Sequence, residues 1–419
     1  MNLKIRLIIM NFLQFAVWGA YLTSMGSYLA SAGQGAHIGA FYAMQGITSI
    51  FMPALIGIVA DRWIPAQKMM GICHFISSSF MLGLAYYAMQ MGTNADFGVL
   101  IGLFAVAIGF YMPSLSLSYS VAYNALEKAN MDTIAAFPPI RIFGTIGFIC
   151  TMLLVDLLGY QTTYMQFVVS GVLGILLGFF SMTLPDCPVN KSNEKKSLVD
   201  VLGLRAFALF KDRTMATFFI FSLLLGVALQ LSNSYANPFI TSFQNIPEYA
   251  NTFGANHANA LISLSQCSET LCILLIPFFM KRLGIKKVML LAMLAWVFRF
   301  GLFGAGNPGS GVWMFILSMI VYGVAFDFFN VSGSLFVNQF TDKSMRSSAQ
   351  GLFMLMTNGI GATLGTLGAQ NIVNYFTENV NGMMIGDWSS VWYIFAAYSL
   401  VVAILFAIFF KYDFKPASK

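Results

Sequence analysis

Long apolar runs without charge follow one another along the whole chain, separated by short polar segments. A helix crosses ~30 Å of hydrocarbon with roughly 20 residues, so these runs can be counted as crossings. No charged residue occurs from Leu7 to Ala60, which leaves room for two helices hinged at Ser31-Ala32-Gly33-Gln34-Gly35. Single crossings fit between Lys68 and Asp96, between Asp96 and Glu127, and between Asp156 and Asp186. Others fit from Thr214 to Phe243, from Arg346 to Glu378 and from Trp388 to Phe410. Admitting one isolated charge adds spans at about 137–158 (Arg141), 257–280 (Glu269), 288–305 (Arg299) and 312–338 (Asp327). The pattern predicts about twelve transmembrane helices.

Basic residues orient them. Lys4 and Arg6, Arg62 and Lys68, then Lys128 fall in alternate loops, followed by six Lys and Arg in the hydrophilic segment 185–213. Lys281, Arg282, Lys286 and Lys287, then Lys343 and Arg346, then Lys411, Lys415 and Lys419 continue the series. The opposite loops, around 32–37, 91–96, 159–164, 242–256, 305–311 and 377–387, hold no Lys or Arg. Under the positive-inside rule this split predicts both termini in the cytoplasm. Leu29-Ala30-Ser31-Ala32 resembles a signal-peptidase site, but the apolar stretch before it far exceeds a signal core of roughly 7–15 residues. The first helix is expected to be retained.

Composition agrees and excludes other classes. Of 419 residues, 58% are hydrophobic and 9% charged, with a mean hydropathy of +0.75. Soluble domains carry about a quarter charged residues, so soluble enzymes, nucleic-acid binders and disordered scaffolds are excluded. The five cysteines imply no disulfide framework, and His37, His74 and His257 lack metal-ligand spacing. No nucleophile–base arrangement stands out, so neither an enzyme, a cofactor nor a metal is expected. His37 and His257 are expected to pack at external loop edges.

The segment 185–213, opened by Pro185 and Pro188 and rich in Lys, Ser, Asn and Glu, reads as a solvated cytoplasmic linker. It divides the chain into a six-helix bundle over 1–184 and another over 214–419. Many secondary transporters are built from two such bundles, with their substrate site near the midplane. Gly57-Ile58-Val59-Ala60-Asp61-Arg62, followed by Lys68, resembles the major facilitator superfamily signature, although Ile64-Pro65 and Gln67 replace the usual glycine and arginine. The equivalent second-half loop, Lys281 to Lys287, keeps the basic residues and lacks the Asp. No ATP-binding P-loop is present, which points to an ion gradient as the energy source.

An ionisable group in hydrocarbon costs at least ~2.5 kcal/mol on insertion scales, so each intramembrane charge needs a reason. Glu269 lies about eleven residues into its span, ~17 Å along the helix, and Asp327 is similarly deep. Each is either a structural acid or a proton or substrate site, and the functional reading is favoured, more so for Glu269. Arg141, following Phe137-Pro138-Pro139, either snorkels to the headgroups or lines a site. Arg141, Thr145 and Phe148 stand at i, i+4 and i+7, one face of a helix, which favours a lining. Arg299 either snorkels or pairs with an acid such as Glu269 or Asp327, and is kept as structural. Gln230 and Asn233, and Gln266 and Glu269, are i, i+3 pairs. Tyr322 and Phe326 are i, i+4, with Asp327 rotated off that stripe. Rings for stacking, amides for base edges and acids for sugar hydroxyls suit a flat, polar, uncharged ligand.

At these residues the chain resembles the bacterial nucleoside:proton symporter family, the nucleoside and xanthosine permease group of the major facilitator superfamily. Phe137 to Phe148 and Tyr322 to Asn330 carry most of the likeness. Phe12-Leu13-Gln14-Phe15 with Trp18-Gly19, Ala206 to Lys211 and Ser265 to Thr270 add to it, as do Ser348 to Gly351 and Met356 to Gly359. The resemblance implies an all-α membrane protein with the major facilitator fold, importing nucleosides with protons by alternating access. It places the ligand-binding positions on Arg141, Thr145, Phe148, Gln230, Asn233, Gln266, Glu269, Tyr322 and Phe326, with Asp327 beside them. Glu269 or Asp327 is then expected to carry the coupled proton. The expected location is the bacterial cytoplasmic membrane, with nucleosides, protons and lipid as partners and neither a nucleic acid nor an obligatory protein partner. A symporter for another polar solute such as a sugar, and a sensor that keeps the fold without moving solute, are the competing readings.

Overall fold

The computed structural model describes residues 2–187, 204–341 and 346–412. Most of the expected linker, residues 188–203, lies outside them, as do the side chains of Asp61 and Arg62 in the signature loop. The N-terminal part contains α1 (Leu3–Gly19), α2 (Met25–Ser31), α3 (Ile38–Arg62), α4 (Ala66–Met91), α5 (Phe97–Lys128), α6 (Thr133–Leu157) and α7 (Met165–Ser181). The C-terminal part contains α8 (Arg213–Ser242), α9 (Ala258–Ala305), α10 (Val312–Phe340), α11 (Arg346–Met354), α12 (Ala362–Phe376) and α13 (Trp388–Phe409).

Nine helices among the described residues are long and apolar enough to cross a membrane. The 48-residue α9 is one of these and contains two crossings, because its backbone turns at Gly284 (φ 74°, ψ 167°). That conformation is essentially open to glycine alone, and it sets the corner within the basic loop. With both arms of α9, and with α1 and α7 at 17 residues each, the described residues make the twelve crossings expected.

The first crossing differs from an uninterrupted helix. It unwinds between Gly19 and Met25, where the Tyr42 hydroxyl donates to the Leu22 carbonyl and Ser24 Oγ donates to Gln166 Oε1 (3.1 Å). Unwound backbone at membrane depth needs such partners, and they come from α3 and α7, which spacing along one run does not reveal. The run from Arg346 is also broken, by a π-helical turn over Leu355–Gly361 between α11 and α12. The expected loop 377–387 holds a hairpin, β1 (Thr377–Val380) against β2 (Met383–Gly386). Its turn is Asn381-Gly382, both at positive φ, the pairing that a two-residue hairpin turn favours.

Contacts divide the chain into two compact units, Met1–Lys195 and Lys196–Lys419. In the first, α1 packs on α6 and α7, and α4 on α5 and α7, around buried Leu7, Met10, Met70, Val121 and Leu177. Some of the polar side chains inside it bond to one another. Gln14 Nε2 donates to Ser114 Oγ (2.7 Å), His74 Nε2 to Gln14 Oε1 (2.8 Å), and the Tyr111 hydroxyl to the Gln14 carbonyl (2.7 Å). In the second unit α9 packs on α10 and α13, and α8 on the π-helical turn. All five cysteines are free thiols.

Candidate functional site

In the N-terminal unit, α6 presents the stripe Arg141, Thr145 and Phe148. Arg141 and Thr145 are half-buried, and Phe148 is buried. The Arg141 side chain is held sideways: Nε donates to the Tyr119 hydroxyl on α5 (3.0 Å), and the guanidinium lies 3.9 Å from the centroid of the Phe15 ring on α1. Gly144 makes room for this, since a Cβ there would stand 2.7 Å from Phe15 and 2.8 Å from the guanidinium. Phe148 meets Trp18 edge-on, with centroids 6.3 Å apart. Trp18 and Tyr111 are in turn 6.0 Å apart. A cation with donors to spare and an aromatic edge therefore occupy one face of one helix.

In the C-terminal unit, α8 carries the two amides. Asn233 Nδ2 donates to Gln230 Oε1 (2.9 Å), and both side chains are half-buried. Each therefore keeps polar atoms for another partner, because an amide offers both donors and acceptor lone pairs. One turn further, Asn237 Nδ2 donates to Asn259 Oδ1 (2.7 Å) and ties α8 to α9. Gln266 and Glu269, on the first arm of α9, are half-buried. On α10 the rings of Tyr322 and Phe326 stack, with centroids 5.6 Å apart and planes at 15°. Asp327, next along, is buried, and its Oδ2 has no hydrogen-bond partner among the described residues. The carboxyls of Glu269 and Asp327 lie within electrostatic reach of each other and of the Tyr322 hydroxyl. Close approach of α9 and α10 makes this possible: a Cβ on Gly323 would stand 2.6 Å from the Ser268 carbonyl oxygen, and Ser268 donates to the Ile320 carbonyl.

A sequence-family model described as "Nucleoside H+ symporter" matches residues 1–415. The chain belongs to the nucleoside H+ symporter family. Nucleoside permease NupG of Escherichia coli (strain K12) is 46% identical over 415 residues, covering 98% of this chain and 97% of that protein. Xanthosine permease of the same organism is 43% identical over 419 residues, covering 99% and 98%. The crystal structure of nucleoside transporter NupG matches with a TM-score of 0.89 at 46% identity, over 99% of this chain and 100% of that one. The xylose transporter XylE from E. coli, at 14% identity and a TM-score of 0.60, shares the fold alone. This symporter-family chain is thus an all-α, multi-pass membrane protein of the major facilitator fold, and its relatives are permeases rather than enzymes.

Among the sequence-selected residues the structure joins Gln230 to Asn233, stacks Tyr322 on Phe326 and sets Glu269 and Asp327 within electrostatic reach of Tyr322, while Arg141, Thr145 and Phe148 share one face of α6. Arg299 departs from both readings of its sequence position. It neither snorkels nor pairs with an acid among the described residues; it is 1% exposed and bonded to serines. Phe15, Tyr119, Trp18 and Ser232 also border these groups without having been chosen as site residues. They sit on other helices, so no spacing along the chain links them to Arg141 or Tyr322. His37 and His257 pack on Phe97 (4.3 Å) and Phe253 (4.8 Å) respectively.

Proposed function

We propose that this chain imports nucleosides together with protons across a bacterial cytoplasmic membrane by alternating access, without an obligatory protein partner. The observation that carries the reading is the Tyr322–Phe326 stack beside two acids, in a chain of the nucleoside H+ symporter family. Parallel rings offer a face for a nucleobase, and carboxylates accept from ribose hydroxyls. Arg141, Thr145, Phe148, Gln230, Asn233, Gln266, Glu269, Tyr322 and Phe326 bind the nucleoside. Glu269 or Asp327 carries the proton. Two acids in electrostatic reach repel when both are ionised, so loading a proton onto one relieves the pair. The bundles 1–184 and 214–419, joined by the 185–213 linker, have both termini in the cytoplasm, a reading supported by the Lys and Arg distribution.

Counterflow of radiolabelled uridine in proteoliposomes tests the proposal. Uridine or adenosine should exchange, with ribose and free bases competing poorly. Equal competition by ribose alone would indicate a sugar carrier, and absence of counterflow with every nucleoside tried would indicate a protein that does not transport them.

A further inference from the structure

Arg299, on the second arm of α9, is a desolvated cation, 1% exposed, whose hydrogen bonds all go to neutral groups among the described residues. Its Nε donates to Ser232 Oγ (2.9 Å), and one terminal nitrogen donates to the Ser318 carbonyl (2.7 Å) and more weakly to Ser265 Oγ (3.4 Å). Ser318 Oγ returns a bond to the Arg299 carbonyl (3.0 Å). The guanidinium lies 4.5 Å from the Tyr322 ring centroid and 5.1 Å from that of Phe303. A charge kept in such a place is costly, and an apolar residue of similar volume would pack there at less expense.

The positions of its partners supply a reason. Ser232 precedes Asn233 and follows Gln230 by two residues on α8. Ser265 precedes Gln266 and lies one turn from Glu269 on the first arm of α9. Ser318 lies one turn before Tyr322 on α10. One planar fork therefore bonds to each of the three helices that carry the C-terminal binding groups, and its face supports the ring that stacks on Phe326. Trp296, one turn earlier on the same arm, closes the edge of Tyr322 at 5.8 Å and 90°. Only arginine combines directed donors with a flat, weakly hydrated face; lysine would bring a point charge to the same volume.

We propose that Arg299 is a positioning residue of the nucleoside site. It holds the Tyr322–Phe326 pair in place and fixes the registers of the helices bearing Gln230, Asn233, Gln266 and Glu269. It touches no ligand, and the assignment rests on the nucleoside-import reading above.

The test is uridine affinity by calorimetry on the full-length protein in detergent, for Arg299→Lys, Ser232→Ala, Tyr322→Ala and the double variants. Arg299→Lys should weaken binding at least ~10-fold and Ser232→Ala about threefold, with transport showing a raised KM and a maximal rate within about twofold. In the Tyr322→Ala background, Arg299→Lys should cost no more than about threefold, because the ring it positions is gone. A general packing role would instead give the same loss in both backgrounds, and that result overturns the proposal. Should Arg299→Lys fail to fold, the cycle of Ser232→Ala against Tyr322→Ala decides in the same way. If wild type binds uridine and Tyr322→Ala weakens it while Arg299→Lys and Ser232→Ala do not, the positioning role alone falls. If wild type binds no nucleoside, both readings fall together.

Discussion

Replacing Gly147 by alanine tests how closely α1 and α6 approach behind the Arg141–Phe148 stripe. A Cβ there would lie 2.2 Å from the Phe12 carbonyl oxygen and 3.0 Å from its Cα. Ordinary Cβ contact begins at 3.4 Å, so the methyl asks for about 1.2 Å of separation, well beyond what a 6–12 contact yields. The obstacle is backbone, so the helices must part as bodies. Gly19 makes the reciprocal contact, 2.3 Å from the Phe148 carbonyl oxygen. Overpacking of this kind costs about 1–3 kcal/mol, partly offset by up to ~1 kcal/mol of improved helix propensity. The net expectation is a loss of ~1–2 kcal/mol. Parting the pair also carries Phe15 away from Arg141, so uridine affinity should fall as well. Gly102→Ala on α5, where a Cβ meets nothing within 4 Å, is the control. Scanning fluorimetry should show a lowered midpoint for Gly147→Ala and none for Gly102→Ala. If the two variants melt alike and bind uridine alike, α1 and α6 are further apart than described and the reasoning fails.

Phe148→Ala, Gln230→Ala and Phe326→Ala should each weaken uridine binding by ~0.5–1.5 kcal/mol, the worth of a stacked ring or a buried hydrogen bond; calorimetry showing all three unchanged would misplace the pocket. Proton flux at saturating nucleoside, measured separately for Glu269→Gln and Asp327→Asn, should lose its coupling in the variant that removes the carrier. If both still accumulate nucleoside at the wild-type proton ratio, the carrier lies elsewhere. Asp387 caps α13, with Oδ1 accepting from the Ser390 N–H (3.0 Å) and Oδ2 from its hydroxyl (2.5 Å), and these bonds hold its carboxyl below the usual carboxylate range. A depressed native value stabilises above the unfolded value of ~3.9 and is lost as pH falls through the native one. Asp387→Ala should therefore cost ~1 kcal/mol at pH 7, with the gap from wild type closing below about pH 4; a gap unchanged at pH 3 would refute the cap's ionic character.

The crossings were legible because charge in hydrocarbon is expensive, so Lys and Arg mark the ends of spans whatever the packing inside. Neighbours on one helix were legible for a related reason. Residues three or four apart share a face, and Gln230 with Asn233, and Tyr322 with Phe326, do meet as that spacing requires. What spacing cannot carry is the partner on another helix. Nothing in the run from Leu7 to Ala60 announces the break after Gly19, because the groups that bond its Leu22 carbonyl and Ser24 hydroxyl are Tyr42 and Gln166. The π-helical turn at Leu355–Gly361 is equally silent, since its reason is the backbone of α8 pressed against it: a Cβ on Gly226 would stand 2.3 Å from the Thr357 carbonyl oxygen. Arg299, kept as structural, shows the same limit. Its position suggested an acid or the headgroups, and it found three serines, one from each of three helices.

The contrast between Arg141 and Arg299 bears on how such a protein can bind one solute tightly enough to select it and loosely enough to release it. Arg299 has Nε and one terminal nitrogen on fixed acceptors and two rings beside it; moving it would strand a desolvated cation. Arg141 is half-buried, donates to the Tyr119 hydroxyl and lies 3.9 Å from the Phe15 ring and 6.0 Å from the Tyr119 ring, and keeps donors that a ligand can claim without breaking the scaffold. Asp327 is buried with one carboxyl oxygen unpartnered among the described residues, whereas Glu269 is half-buried. A group that answers to a ligand must have polar atoms not already committed to the fold and open to approach, and a group that sets the geometry must be closed in by the fold. On that criterion Arg141 and the amides Gln230 and Asn233 fit the proposed ligand groups, and Arg299 with its serines fits the groups proposed to hold them in register.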